Sequence, residues 1–245
     1  LVLPDGRRVD LEVDRGCQQL KGENFVNDGK QLVYHEQENG KRIQWHTLSV
    51  PRGGEYKLVL ADGTRVWLNA ASELMYPDHF SADQRKVVLK GEAYFEVTKD
   101  VKRPFSVVLG DMEVKVLGTS FNVSAYPGVK RQTTLIEGQQ VVIRPGQQAA
   151  ETDEGLRVAS VNVMNYVGWK EHRFVYENKL LGEVLEDLER WYDVEVFVMH
   201  DEIRNLHLTA NLPKYENMDK VLEIIEYAAC VKFEVKGRTV VVRRD

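Results

Sequence analysis

Glu92 and Glu96 are, by type and spacing, the residues best suited to chemistry in this chain. They lie four apart in a run that alternates apolar and polar side chains, so a strand there points both carboxylates to one face. Paired carboxylates are the machinery of glycoside hydrolysis, although a solvated strand face has the same pattern. His200 and His207 flank a turn with Asp201 and Glu202 nearby, a set that allows a weak surface metal site. None of the six histidines pairs at i, i+3 or i+4 on a helix, however, so histidines without metal are the better reading. Gly53-Gly54 has no helix after it to complete an anion cradle and reads as a turn. Gly118-Thr119-Ser120-Phe121 lacks a second glycine and a strand-to-helix setting, and no G-x-S-x-G, H-E-x-x-H or Walker loop occurs. The residues alone assign no catalytic group, no metal ligand and no cofactor.

The elements that hold these residues are mostly strands. Up to about residue 161 the dominant period is two, with glycines between short apolar runs, which reads as an all-β stack of solenoid or sandwich type. Ala70–Glu73 and Pro77–Gln84 have room for one helical turn each. Turns are expected at Asp62-Gly63, Lys90-Gly91, Leu109-Gly110 and Glu137-Gly138. Residues 1–11 (LVLPDGRRVDL) and 58–68 (LVLADGTRVWL) match at eight of eleven positions. Each copy is an apolar run, an Asp-Gly turn and a second apolar run, the signature of a two-residue type I′ hairpin. The shared Arg8 and Arg65, which a bare hairpin does not need, favour true repetition. The first copy is therefore expected as an additional hairpin of the same β domain, extending the stack toward the membrane side. Tyr94, Phe95, Phe105 and Phe121 sit in strand runs as candidate core.

The period changes after Trp169. Phe174–Tyr176 reads as a strand, and Asn178 offers a helix cap. Leu180, Leu181, Val184, Leu185, Leu188 and Trp191 then follow at helical spacing. Val194, Val196 and Val198 mark a strand, and Leu206–Leu212 alternates as another. Asn217 can cap a second helix, and strands over Val231–Val235 and Thr239–Arg243 close the chain. The order β-α-β-β-α-β-β describes a small α+β module. The expected divisions are an all-β domain over 1–161, with the polar stretch Ala150–Gly155 as a loop inside it, a junction over 162–171 and the module over 172–245. Trp169 is expected as a plug between the domains, and Trp191 is expected to pack on the module's sheet.

Composition fits a globular protein: 43% hydrophobic and 29% charged residues, with a formal charge of −5. That balance gives no electrostatic case for nucleic acid or an anionic membrane surface. No apolar run has the length of a membrane span. Cys17 and Cys230 are too few for a disulfide framework and read as unpaired thiols. The chain starts at Leu1 inside a β pattern, which reads as an excised piece whose anchor or targeting signal lies upstream.

Five blocks carry a resemblance: Pro51-Arg52-Gly53-Gly54-Glu55-Tyr56, Leu60–Ala70 (LADGTRVWLNA), Leu89–Val97 (LKGEAYFEV), Pro104-Phe105-Ser106-Val107, and Val116–Val123 (VLGTSFNV). In this order they resemble the FecR family of cell-envelope sensors, in the form abundant in Bacteroidetes. Phe174–Asn178 (FVYEN) and Arg190–Val194 (RWYDV) resemble that family's C-terminal module, itself similar to the short signalling domain of secretins and TonB-dependent receptors.

The resemblance implies the periplasmic sensor part of a single-pass, inner-membrane anti-sigma factor, non-enzymatic and without cofactor. It further implies that the partner is the N-terminal signalling domain of an outer-membrane TonB-dependent transporter. An extracytoplasmic-function sigma factor would be reached only through a cytoplasmic segment, and the membrane only through an upstream helix, neither present in these residues. The expected partner-binding residues are Thr239, Val240, Val241, Val242 and Arg243, as a terminal sheet edge open to strand addition. Two other readings stand beside this one. A carbohydrate-binding or carbohydrate-cleaving β-solenoid would bring Trp67, Glu92 and Glu96 into one groove, and a structural assembly module would build rings.

Overall fold

The computed structural model describes residues 1–11, 25–27, 31–35, 42–126, 142–152, 155–214 and 217–244. The chain divides into two compact units, Leu1–Arg131 and Gln132–Asp245. It is mainly β, with the helices in the second unit, as the two periodicities predict.

The first unit carries β1 (Phe25–Asn27), β2 (Gln31–Tyr34), β3 (Trp45–Val50), β4 (Tyr56–Val59), β5 (Arg65–Leu68), β6 (Ser72–Pro77), β7 (Arg85–Glu96), β8 (Phe105–Leu109), β9 (Met112–Val116) and β10 (Ser120–Ala125). They form one ten-stranded sheet in the order β1-β2-β4-β5-β7-β6-β3, with β10 on β7 and β8 joining β7 to β9. One strand makes this possible. β7 runs for twelve residues. Its Gly91–Glu96 half pairs with β5 and β10, and its Arg85–Lys90 half with β6 and β8. The sheet therefore curls, and Leu58, Val66 and Phe95 of one half meet Leu74, Val87 and Phe105 of the other in a common core.

Gly91 is where β7 bends. Its φ is +91°, and a Cβ there would lie 2.5 Å from Ser72 Oγ. Lys90-Gly91, expected as a turn, is thus a bend inside one strand. The next ladder site is kept satisfied because Glu92 N–H donates to Ser72 Oγ at 2.9 Å. The expected helical turn at Ala70–Glu73 is instead the start of β6, entered through Ala71 at φ +56°. Leu109-Gly110 does turn, between β8 and β9. Glu137-Gly138 and Cys17 lie outside the described residues.

The two sequence copies share one hydrogen-bond pattern. Leu3 N–H donates to Arg7 O and Gly6 N–H to Leu3 O, each at 2.9 Å; Leu60 N–H donates to Thr64 O and Gly63 N–H to Leu60 O, also at 2.9 Å. Asp5 and Asp62 each accept from the backbone N–H two residues on, at 3.0 Å. Only the glycine of each turn has positive φ. These are three-residue loops with a left-handed glycine closing the bulge, not the expected type I′ turns. Pro4 has no N–H, so it could not donate to Arg7 O as the residue before a two-residue Asp5-Gly6 turn must. Val2 pairs with Thr47 of β3, and Leu3 and Leu11 join the common core, so the first hairpin belongs to the same β unit as the second.

The second unit carries the hairpin β11 (Gln147–Thr152) and β12 (Gly155–Ser160) in place of the loop expected over Ala150–Gly155. Then come α1 (Met164–Val167), a 3-10 turn at Gly168–Glu171, β13 (Arg173–Leu180), α2 (Leu181–Tyr192), β14 (Glu195–Val198), a second 3-10 turn at Asp201–Asn205, β15 (His207–Pro213), α3 (Met218–Ala229), β16 (Val231–Lys236) and β17 (Thr239–Arg244). From β13 onward this is the expected β-α-β-β-α-β-β order. Two sheets result, β13-β15 and β14-β17-β16.

Helices α2 and α3 each bury one apolar stripe: Val184, Leu185 and Leu188 on α2, and Val221, Leu222 and Ile225 on α3. Asn217 caps α3 as expected, accepting from Asp219 N–H at 3.1 Å. Asn178 does not cap α2. It sits at a bulge in β13 with φ +52°, and its N–H donates to Thr209 Oγ1 across the sheet at 2.9 Å. Trp169, expected as a plug between domains, is buried inside the second unit, 5.4 Å from the Lys214 ammonium.

Candidate partner-docking surface

The five expected docking residues lie on the central strand of their sheet. β17 pairs in parallel with β14 (Glu195↔Thr239, Val198↔Val242) and antiparallel with β16 (Phe233↔Val242, Lys236↔Thr239). Both hydrogen-bonding sides of Thr239–Arg243 are occupied, so this segment is not an edge and cannot accept an added strand. Being last in sequence made it look terminal. The parallel pairing with β14, more than forty residues earlier, puts it in the middle.

Alternation then sorts the side chains. Val240 and Val242 are buried, while Val241 is half-buried and Arg243 exposed on the opposite face. On that outer face Val241 has Phe197 of β14 beside it. Phe197 is 56% exposed, and Met199, two residues further, is 62% exposed. Charged side chains flank these apolar groups: Lys232 opposite Arg243, and Glu234 paired with Lys236 at 2.6 Å. An apolar centre with a charged rim is the anatomy of a protein-binding patch. On the solvent side of α3, Ile224 (46%) and Tyr227 (92%) are also exposed.

The edges of the same sheet carry a feature that a residue-by-residue reading of the sequence misses. Glu189 Oε1 accepts from Val196 N–H at 2.7 Å, and Glu226 Oε1 accepts from Phe233 N–H at 2.7 Å. Both bonds span seven residues, from a helix to the strand that follows it. Each helix ends in a left-handed residue, Asp193 (φ +53°) or Cys230 (φ +52°). The signal was an internal repeat: aligned at an offset of 37, Leu181–Val198 and Met218–Val235 are identical at six of eighteen positions, both glutamates included.

The first unit brings Trp67, Glu92 and Glu96 to one outer sheet face. Trp67 pairs with Tyr94, their rings 5.8 Å apart, and Lys57 Nζ lies 5.0 Å from the Trp67 ring. Glu92 accepts from Asn69 Nδ2 at 2.8 Å and Asn122 Nδ2 at 2.9 Å, and Glu96 pairs with Arg65 at 2.7 Å. Four residues of strand separate the α-carbons of the two glutamates by about 13 Å, and each carboxylate is held by its own partners, Glu92 by the two asparagines and Glu96 by Arg65. Phe95 and Phe121 stack in the core side at 5.2 Å. His200 and His207 border the turn after β14, and among the described residues no group of three or more His, Cys, Asp or Glu is placed to hold a metal.

Among the described residues no helix is long and apolar enough to cross a membrane. No curated protein matches the chain. Among solved structures it is similar to a candidate anti-sigma factor from Parabacteroides distasonis, seen in two crystal structures at 1.65 Å and 2.50 Å resolution. Each is 24% identical with a TM-score of 0.73, covering 82% of this chain and 99% of the other, a likeness of fold. The family described as "FecR protein" matches residues 46–139, within the curled sheet and the segment after it, and "FecR, C-terminal" matches residues 173–242, the α+β module. With both parts matched in family order, the chain belongs to the FecR family.

Proposed function

We propose that this chain is the periplasmic sensor region of a membrane-anchored anti-sigma factor, a signalling part and not an enzyme. It takes its signal from the N-terminal signalling domain of a TonB-dependent outer-membrane transporter. It passes that signal on to an extracytoplasmic-function sigma factor held by a cytoplasmic segment beyond an upstream membrane helix. The observation that supports this most is the match of both FecR parts to the two portions of the chain, the curled sheet and the α+β module.

The transporter domain docks on the outer face of the β14-β17-β16 sheet. Of the five residues expected from sequence, Thr239, Val241 and Arg243 present side chains there, and Val240 and Val242 support them from the core side. Exposed Phe197 and Met199 supply the apolar anchor.

The test is calorimetric titration of the full chain with the cognate signalling domain. Binding is expected, with Phe197→Asp weakening it about tenfold or more, as loss of a central apolar anchor does. Absence of binding between two folded partners would overturn the reading. The carbohydrate alternative keeps one supporting observation, the common face of Trp67, Tyr94, Glu92 and Glu96, which favours its binding form. Tryptophan fluorescence that responds to soluble glycans in the parent and not in Trp67→Ala would favour it.

A further inference from the structure

The three-stranded sheet of the second unit has two outer strands, β14 and β16. An outer strand offers unpaired N–H groups to any strand that meets it, which is how sheets join between molecules. Glu195 and Met199 donate inward, to Arg238 O at 2.8 Å and Val242 O at 2.9 Å. By alternation Val196 N–H therefore points away from β17, and that is the donor Glu189 takes. Glu226 does the same for Phe233 on the opposite side of the sheet. A carboxylate accepting from a backbone N–H is a charge-assisted bond, stronger than a neutral one. Both carboxylates are half-buried against the strand they serve.

We propose that Glu189 and Glu226 are matched guards on the two edges of this sheet, keeping β14 of one copy of the chain from pairing with β16 of another. The occupant they exclude is a second copy because the edges complement each other. Continuing the sheet by translation sets β16 antiparallel to the next β14. The outer face of β14 presents Glu195, and that of β16 presents Lys232 and Lys236 with Glu234 between them, a net positive charge. Such a contact is head-to-tail and does not close on itself, so unguarded copies would add one after another. The guards also confine a partner to the side chains of the sheet face.

Sedimentation velocity on the full chain, with no other protein present, tests this. Glu189→Ala and Glu226→Ala each open one edge, so either alone keeps the parent's mass. Mixed, they form a one-to-one pair, doubling the mass. The double Ala variant grows with concentration. Glu→Gln at both sites keeps an acceptor oxygen and the parent's mass. Folded single variants that do not pair when mixed would overturn the proposal. Hydrogen exchange on the parent gives an independent check that needs no variant. The Val196 and Phe233 amides must exchange about tenfold or more slowly than unbonded edge amides, the effect of a bond to a charged acceptor. Exchange at the unbonded rate also overturns it. Binding of the transporter domain enters neither measurement.

Discussion

Lys214 holds its ammonium 3.4 Å from the centroid of the Trp191 ring, deep inside the second unit. The same residue's carbonyl accepts from Trp191 Nε1 at 3.0 Å and from the Tyr192 hydroxyl at 3.2 Å, and its Nζ lies 3.5 Å from Trp169 O. One lysine thus ties the end of α2 to the 3-10 turn that precedes the module. A cation buried between aromatic faces keeps favourable electrostatics without water.

Replacing that side chain separates packing from charge. Lys214→Ala leaves a cavity and costs about 3 kcal/mol, in the range for large-to-small core changes. Lys214→Met keeps the volume and costs about 1.5 kcal/mol or less. Urea unfolding followed by tryptophan fluorescence reads both, and a Lys214→Met variant as stable as the parent would contradict the cation–π account.

Arg85 and Asp62 form a buried ion pair in the first unit, at 2.8 Å with side chains 1% and 7% exposed. Arg85 also donates to Arg103 O and Thr98 O, each at 2.8 Å, so it ties the second repeat's turn to the loop before β8. Removing one partner strands the other charge and costs about 3–5 kcal/mol. Arg85→Met and Asp62→Asn are each expected to lose that much, and the double variant less than their sum. Full additivity in a denaturant double-mutant cycle would show that the pair does not couple.

Gly91→Ala introduces a Cβ at a positive φ and within 2.5 Å of Ser72 Oγ. Backbone strain alone accounts for about 1–3 kcal/mol. Ser72→Gly does not rescue it, because Ser72 Cα also lies within 2.7 Å of that Cβ. Melting temperatures of the single and double variants decide this.

His46 gives the first unit a dependence on pH. It is buried among Phe25, Tyr34 and Tyr76, in hydrogen-bond contact with the Tyr34 hydroxyl. Burial holds its pKa below the usual 6.5, against the weaker opposing pull of the Asp78 carboxylate. Below pH 6.5 the unfolded chain takes up a proton there that the folded chain resists. The stability contributed by neutral His46 is therefore complete above pH 6.5 and declines as the pH falls toward the folded value. Thermal melts from pH 7.5 to 5 should show this decline, and His46→Gln should flatten it.

Much of this was legible in the sequence where the cause is local. Helical spacing located both helices of the module, and Asn217 caps α3 through a bond only two residues long. Asn178 misled because its N–H is served by Thr209 from another strand. Lys90-Gly91 misled because a glycine with positive φ marks a turn in most settings, and only Ser72, far back in the chain, keeps the strand running. The edge position expected for Thr239–Arg243 misled for the same reason. Position in the sequence does not give position in a sheet when the neighbour is a parallel strand. Glu189 and Glu226 became visible only when the two halves of the module were laid over each other.

The shared strand β7 has a mechanical consequence. Twelve residues of strand reach about 40 Å, and along that length hydrogen bonds fasten the strand to β6 and β8 at one end and to β5 and β10 at the other. Neither half of the first unit can slide against the other without breaking bonds on both sides of Gly91. Among the described residues β7 therefore fastens the two halves as one body, so a force applied at one end is carried along the strand to the other.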